Sequence, residues 1–353
     1  MQELLDDGAN SFVWSLTHKQ IRARFARPLY RDIIEDAAFQ RLKQVSFLGA
    51  IDYLIPYRRS LRRKVNSRFQ HTLGVATLAL RYADLAQLSE HDEKLIVVAA
   101  LLHDIGHGPL SHSLEPVFDH EFSLNHHRAG LEVIRGESPL GKAILRVLQS
   151  NYLDPEEVIS LIAGKHRGNF VHLFASPMNI DTLDGILRCI RYMDNVIALT
   201  PEKLLDGLLF FDSGSQTRFD TFWQTKQFVY HFLINGRMGV FADALARKYM
   251  LNNLKSFSRH DFFLGEQQLF RIHKSFARLL GSAKHLFKSS PQREIAFKRR
   301  CFYLDRSHPL KSYADLYKRY LQNKSTAEIL VPQFLSETSV SQQRELFEAA
   351  CQQ

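Results

Sequence analysis

The eight residues Leu95–Leu102, LIVVAALL, carry no polar side chain and run directly into His103 and Asp104. An uninterrupted apolar stretch of that length is well short of a bilayer span, and its flanks point to a helix buried on every side. Gly106 and the Gly108-Pro109 pair stop it. An imidazole and a carboxylate are therefore left at the closing turn of a core helix, with His107 and His112 following within nine residues of His103. Ionisable groups beside a core element need a compensating partner.

The chain has 353 residues, 45% apolar and 24% charged, the balance of a globular protein with a sizeable core. The start, MQELLDDGANSF, has no basic stretch leading into an apolar one, and no run of eighteen apolar residues occurs, so secretion and membrane spanning are unsupported and the expected address is the cytoplasm. Three widely spaced cysteines, Cys189, Cys301 and Cys351, form no zinc-finger spacing. A formal charge of +9 favours anionic partners, phosphate compounds or nucleic acid.

Residues 1–27 read as an N-terminal arm with no chemistry of their own. From Pro28 to about Leu48, apolar residues at three- and four-residue spacing predict helix, with Gly49 as terminator. Tyr57 to Lys64 then places five basic residues in eight. That cluster reads either as a solvated loop or as a positive lip for a polyanion. Arg68 opens another helical pattern that puts His71 near a helix start. His71 together with His103 and Asp104 makes a nitrogen and oxygen ligand set suited to manganese, iron or zinc. A fourth ligand is wanted, and Asp181 is the candidate, although its place before Leu183, Ile186 and Leu187 equally suits a helix N-cap. Asp184 and Arg188, four apart, have the spacing of a helical ion pair.

The ordered blocks FQRLKQVSFLGA (39–50), RFQHTLGV (68–75), HDIGHGPLSH (103–112), NHHRAG (125–130) and IDTLDGILR (180–188) resemble the HD superfamily of metal-dependent phosphohydrolases. Within it they look most like the deoxynucleoside triphosphate triphosphohydrolases. The resemblance implies a mainly α fold, an HD-domain helical bundle over residues 28–200, leaving 201–353 as a helical, aromatic and basic extension packed on it. It implies one divalent cation, Mn, Fe or Zn with Mg or Ni as further options, held by His71, His103, Asp104 and Asp181. It implies that His107, His112 and His127 face the substrate phosphates; a leaving oxygen needs a proton, which histidine can give near neutrality, so His112 is the expected catalytic donor with His127 orienting it, alongside Asp104. Substrate contacts fall to Arg68 as a phosphate clamp, His107, Asp184 and Arg188, with Arg62, Arg63 and Lys64 of the basic cluster added as a lip. The expected partner is a phosphorylated anion, chiefly a nucleotide; nucleic acid and a second copy of the chain are further candidates, and a membrane is not.

This sequence departs from the triphosphohydrolase pattern at Thr182, where a basic residue grips phosphate, at Gly185, where a tyrosine packs on the sugar, at Cys189, where an aspartate accepts from it, and at Phe47, which stands for a glutamine. The hydrolytic residues are present while the sugar-reading ones are not. A phosphohydrolase with altered sugar recognition is the expectation, with a nuclease, a phosphomonoesterase or a non-catalytic nucleotide- or nucleic-acid-binding protein as alternatives. Asp154-Pro155, Thr200-Pro201 and Ser290-Pro291 each predict a helix start.

Overall fold

The computed structural model describes residues 18–54, 66–168, 170–193, 195, 197–289 and 291–333. The basic cluster, including Arg58, Arg59, Arg62, Arg63 and Lys64, lies outside the described residues. What the structure describes is mainly helical, with one two-stranded sheet. No helix among the described residues is long and apolar enough to cross a membrane.

The apolar run sits in the helix Glu90–Leu102, capped by Ser89, whose hydroxyl accepts from the Asp92 N–H. Every residue from Leu95 to Leu102 is fully buried. Each Leu, Ile or Val side chain of the run contributes about 1.5–3 kcal/mol by leaving water, which anchors His103 and Asp104 at the helix's end. Around this rod pack the helices Arg68–Leu85, Pro155–Ile162 and Pro28–Glu35. Asp154 and Thr200 cap the helices Pro155–Ile162 and Pro201–Phe210 as their Asx-Pro and Thr-Pro spacing predicts. The stretch from Pro28 is not one helix. Asp36 breaks it by capping the next segment, Ala37–Arg41, through the Ala38 N–H, and Gly49 turns the chain at φ +61, a left-handed conformation that glycine adopts without strain.

The C-terminal region differs from its helical expectation in one place. Ser290-Pro291 precedes a strand, β1 (Gln292–Leu304), which pairs antiparallel with β2 (Tyr320–Pro332) from Gln292↔Pro332 to Leu304↔Tyr320. Ile295 and Phe297 are buried on one face of β1 and Phe302 on the other. The ribbon presents first one face and then the other to the helices, so no sustained alternation marks it in the sequence. β1 lies on the helix Ser215–Val229, and β2 reaches the helix Arg237–Asn252.

Candidate active site

Three helix termini converge. His71 is in the first turn of Arg68–Leu85, His103 closes Glu90–Leu102, and Asp181 is in the first turn of Ile180–Tyr192. The cap of that last helix is Asn179, whose side chain accepts from the Thr182 N–H at 2.7 Å. Asp181 is thereby free of capping duty.

His71 Nε2 lies 3.0 Å from Asp181 Oδ1 and 3.5 Å from Asp104 Oδ2. His103 Nε2 lies 3.5 Å from Asp104 Oδ1 and 3.9 Å from Asp181 Oδ1. The opposite nitrogen of each ring is already committed: His71 Nδ1–H donates to Asp184 Oδ2 at 2.7 Å, and His103 Nδ1–H to the Ala100 carbonyl at 2.8 Å. These partners fix the tautomers, so both Nε2 lone pairs face the same small space. His103 Nε2 is buried without a hydrogen-bond partner. A buried orphan acceptor facing two carboxylates is the donor arrangement a divalent cation completes, and the nitrogen and oxygen set suits Mn, Fe or Zn. Burial alone would depress His71, but the hydrogen bonds its ring donates to Asp181 and Asp184 outweigh it and hold the imidazole up at about 9. In the metal-free protein a proton therefore does part of the cation's work.

Asp184 and Arg188 lie on the Nδ1 side of His71, on the same helix face as Asp181. Arg188 Nε donates to Asp184 Oδ2 at 2.9 Å, and its guanidinium together with His71 holds the Asp184 carboxyl well below the usual carboxylate range despite burial. Arg68 is buried, and three of its N–H groups are engaged: with Asp104 Oδ2 at 2.8 Å, the Ser111 hydroxyl at 3.0 Å and the Phe47 carbonyl at 3.2 Å. Two of the five guanidinium N–H groups remain for an incoming oxygen.

A second cluster forms the rim. Gly106 makes it close: a Cβ there would meet the His126 carbonyl oxygen at 2.1 Å and the Gly130 nitrogen at 2.2 Å, so only glycine lets the turn rest on the helix His126–Ile134. Leu110 and Ser111 then take left-handed φ of 58 and 45, a strained turn that carries His112 outward. His107 stacks on His126 with ring centroids 4.3 Å apart and planes 5° apart, while His112 and His126 both bond Glu115. His127, the expected catalytic histidine, is exposed, and its ring lies against that of His126 with centroids 3.9 Å apart, while His126 itself bonds Glu115 within the cluster. Asn125 caps that helix and Glu115 Oε2 accepts the His126 N–H at 3.0 Å, which fixes the register. Burial depresses His107, and the His112 and His126 imidazoles keep Glu115 well below its ordinary value against the cost of burial.

Two further residues carry weight that the sequence did not announce. Glu115, three residues past His112, orients two imidazoles. Lys226, in the helix Ser215–Val229, is 8% exposed and makes no ion pair among the described residues; its ammonium lies 4.4 Å from the Trp223 ring and 4.6 Å from the Phe302 ring. Burial brings it down to about 8, the Asp181 charge opposing that fall. Beside His71, a Cβ on Gly185 would find only Phe47 at 3.5 Å and His71 at 3.8 Å, so the space is open where a larger side chain would project. Burial pushes the Cys189 thiol up to about 12, which keeps it neutral.

Residues 68–198 match the family model described as HD domain. Among curated relatives, the chain is 31% identical over 181 residues to the uncharacterized protein YwfO of Bacillus subtilis, a match covering 50% of this chain and 38% of that one. It is 23% identical over 311 residues to the deoxynucleoside triphosphate triphosphohydrolase SAMHD1 homolog of Dictyostelium discoideum, covering 80% of this chain and 56% of the relative. With the mouse deoxynucleoside triphosphate triphosphohydrolase SAMHD1 it shares 33% identity over 148 residues, 38% of this chain and 21% of the relative. The matches thus span about two fifths to three fifths of the length of the first of these relatives.

Proposed function

From the premise that this chain belongs to the HD superfamily, near its dNTP triphosphohydrolase branch, we propose that it is a metal-dependent phosphohydrolase acting on a nucleotide or a related phosphoester. The observation that carries the reading is the orphan Nε2 of His103 aimed, with His71 Nε2, at Asp104 and Asp181. His71, His103, Asp104 and Asp181 would hold the cation. A divalent ion bound there supplies Lewis acidity, lowering the pKa of water and drawing charge from a phosphoryl oxygen.

The chain's own residues do the rest. Arg68 turns its two unused N–H groups to the phosphate while its bond to Asp104 keeps that carboxylate oriented. His112 is 59% exposed in its side chain, the outermost imidazole of the rim, and stands where a leaving oxygen collects a proton. Glu115 accepts from His112 and His126 and keeps the pair in place, while His107 bridges the rim to Asp104, its Nε2 lying 3.3 Å from Asp104 Oδ1. Lys226 supplies the cation that Thr182 does not. Asp184, with Arg188 behind it, holds His71 in the ligating tautomer. Gly185, Phe47 and the neutral Cys189 leave the sugar side without polar contacts, each worth about 0.5–1.5 kcal/mol, which supports a substrate other than one chosen for its deoxyribose.

Incubating the protein with a nucleotide and phosphoester panel and added Mn²⁺ should give turnover abolished by Asp104→Ala, and the product, tripolyphosphate, orthophosphate or cleaved strands, names the subclass. Stoichiometric metal with no turnover of any panel member would refute hydrolysis and leave a binding protein.

A further inference from the structure

The ribbon of β1 and β2 has two outer edges, and the molecule treats them differently. In antiparallel pairing a residue turns its N–H and C=O to the same side, so alternate residues bond the partner strand and the rest point away. The Phe302 N–H donates to Gln227 Oε1 at 2.8 Å, and Asn235 Nδ2 donates to the Arg300 carbonyl at 2.8 Å. The even-numbered residues of β1 therefore face away from β2, and at Arg300 and Phe302 side chains of the helical body meet them. Because Phe302 pairs with Gln322 and Arg300 with Lys324, the even-numbered residues of β2 face outward on the other edge. Arg237 Nε donating to the Leu330 carbonyl at 2.9 Å agrees with that parity and closes the far end. Gln322, Lys324, Thr326 and Glu328 are all exposed, and their outward backbone groups have no partner among the described residues.

An open edge recruits another strand unless something guards it, and a lysine is the usual guard. Here the lysine is followed four residues later by a glutamate. We infer that the β2 edge pairs with the same edge of a second copy of this chain, antiparallel about a twofold axis at Thr326. That axis sets outward-pointing groups against outward-pointing groups. It also places Lys324 opposite Glu328 of the partner subunit, and by symmetry does so twice. An axis at Lys324 or at Glu328 would oppose like charges, and one at Ser325 or Ala327 would set Lys324 against Thr326 or Leu330.

A second observation points to the same partner. Within one ribbon Lys324 lies directly across from Arg300, a like-charge pair that costs stability. The partner subunit's Glu328 would complete a row of Arg300, Lys324 and carboxylate on one face, setting an opposite charge beside the like-charge pair.

The test is sedimentation of the full chain over a range of concentrations, with thermal melts to establish that each variant is folded. The wild type should dimerise. Lys324→Glu or Glu328→Lys should each raise the dimer dissociation constant by about tenfold or more, and the double swap K324E/E328K should return it to the wild-type value. Thr326→Pro should abolish the dimer while leaving the ribbon intact, since the lost N–H is the one pointing outward. A chain that stays monomeric at all concentrations, or a dimer indifferent to both single swaps, overturns the inference. So does a dimer seen only in a chain ending at Gln333, which would assign the edge to residues 334–353.

Discussion

Among the described residues, two groups of side chains have the composition of a metal site: His71, His103 and Asp104 in one, His107, His112, Glu115 and His126 in the other. Their hydrogen bonds separate them. In the inner group each imidazole spends Nδ1 on a fixed acceptor and keeps Nε2 for the shared space. In the outer group Glu115 already occupies Nδ1 of both His112 and His126, and His107 lies parallel to His126. Stacked rings cannot aim in-plane lone pairs at one ion. Residue type and proximity are thus insufficient to identify a metal centre; which lone pairs are left over decides it. The inner group has lone pairs left for a cation; in the outer one Glu115 has already taken them from His112 and His126.

That contrast breaks if metal content and rate respond alike to the two groups. His103→Ala should empty the site and lower turnover by about a thousandfold or more, since the Lewis acid leaves with it. His126→Ala should keep its metal by elemental analysis and lose about a hundredfold to ten-thousandfold in turnover, the range for proton transfer. His127→Ala, whose ring lies against His126 on the exposed side of the rim, should keep its metal and lose less turnover than His126→Ala. Metal lost from the His126 variant would merge the two groups into one binuclear site.

A finer test concerns the carboxylate behind His71. Asp184→Asn should weaken metal binding by about ten- to a hundredfold, the usual cost of an outer partner. It also predicts a change with pH. His71 sits raised from 6.5 to about 9, so the stability its proton contributes to the metal-free fold is fully present below 6.5 and is lost as pH rises through about 9. Metal must displace that proton, so affinity should climb over the same window. In the Asp184→Asn variant the window should move down. Calorimetric metal titrations from pH 6 to 9.5 read both; an unmoved window would mean Asp184 serves only packing.

Much of the inner group was legible in the sequence because it depends on local order: an apolar rod that must be buried, glycine stops after it, and a helical pattern opening at Arg68 that puts His71 in a first turn. Asp181 could be told from a cap only once Asn179 took that role. Which of His126 and His127 bonds Glu115 was not legible, because both begin the same helix and their placement follows from Gly106 meeting Gly130 across the fold. Glu115 looks like any acidic first-turn residue until two imidazoles close on it. The ribbon was hidden by its own twist, which moves burial from the face of Phe297 to that of Phe302.

Lys226 marks the limit of local reading most sharply. It lies beyond the residues that match the family model, in a helix whose sequence, SQTRFDTFWQTKQFV, gives no sign that its one lysine is interior. Trp223 and Phe302 hold the ammonium out of water, and burial brings its pKa down to about 8. If it steadies substrate phosphate as a single charge, Lys226→Met should raise KM by about tenfold, the worth of one charge-assisted contact, with kcat little changed. The wild-type KM should rise above pH 8 as the ammonium loses its proton. Lys226→Arg, always charged, should remove that rise. A KM that climbs with pH in the Lys226→Met variant as well would place the titration elsewhere and reduce Lys226 to a packing residue.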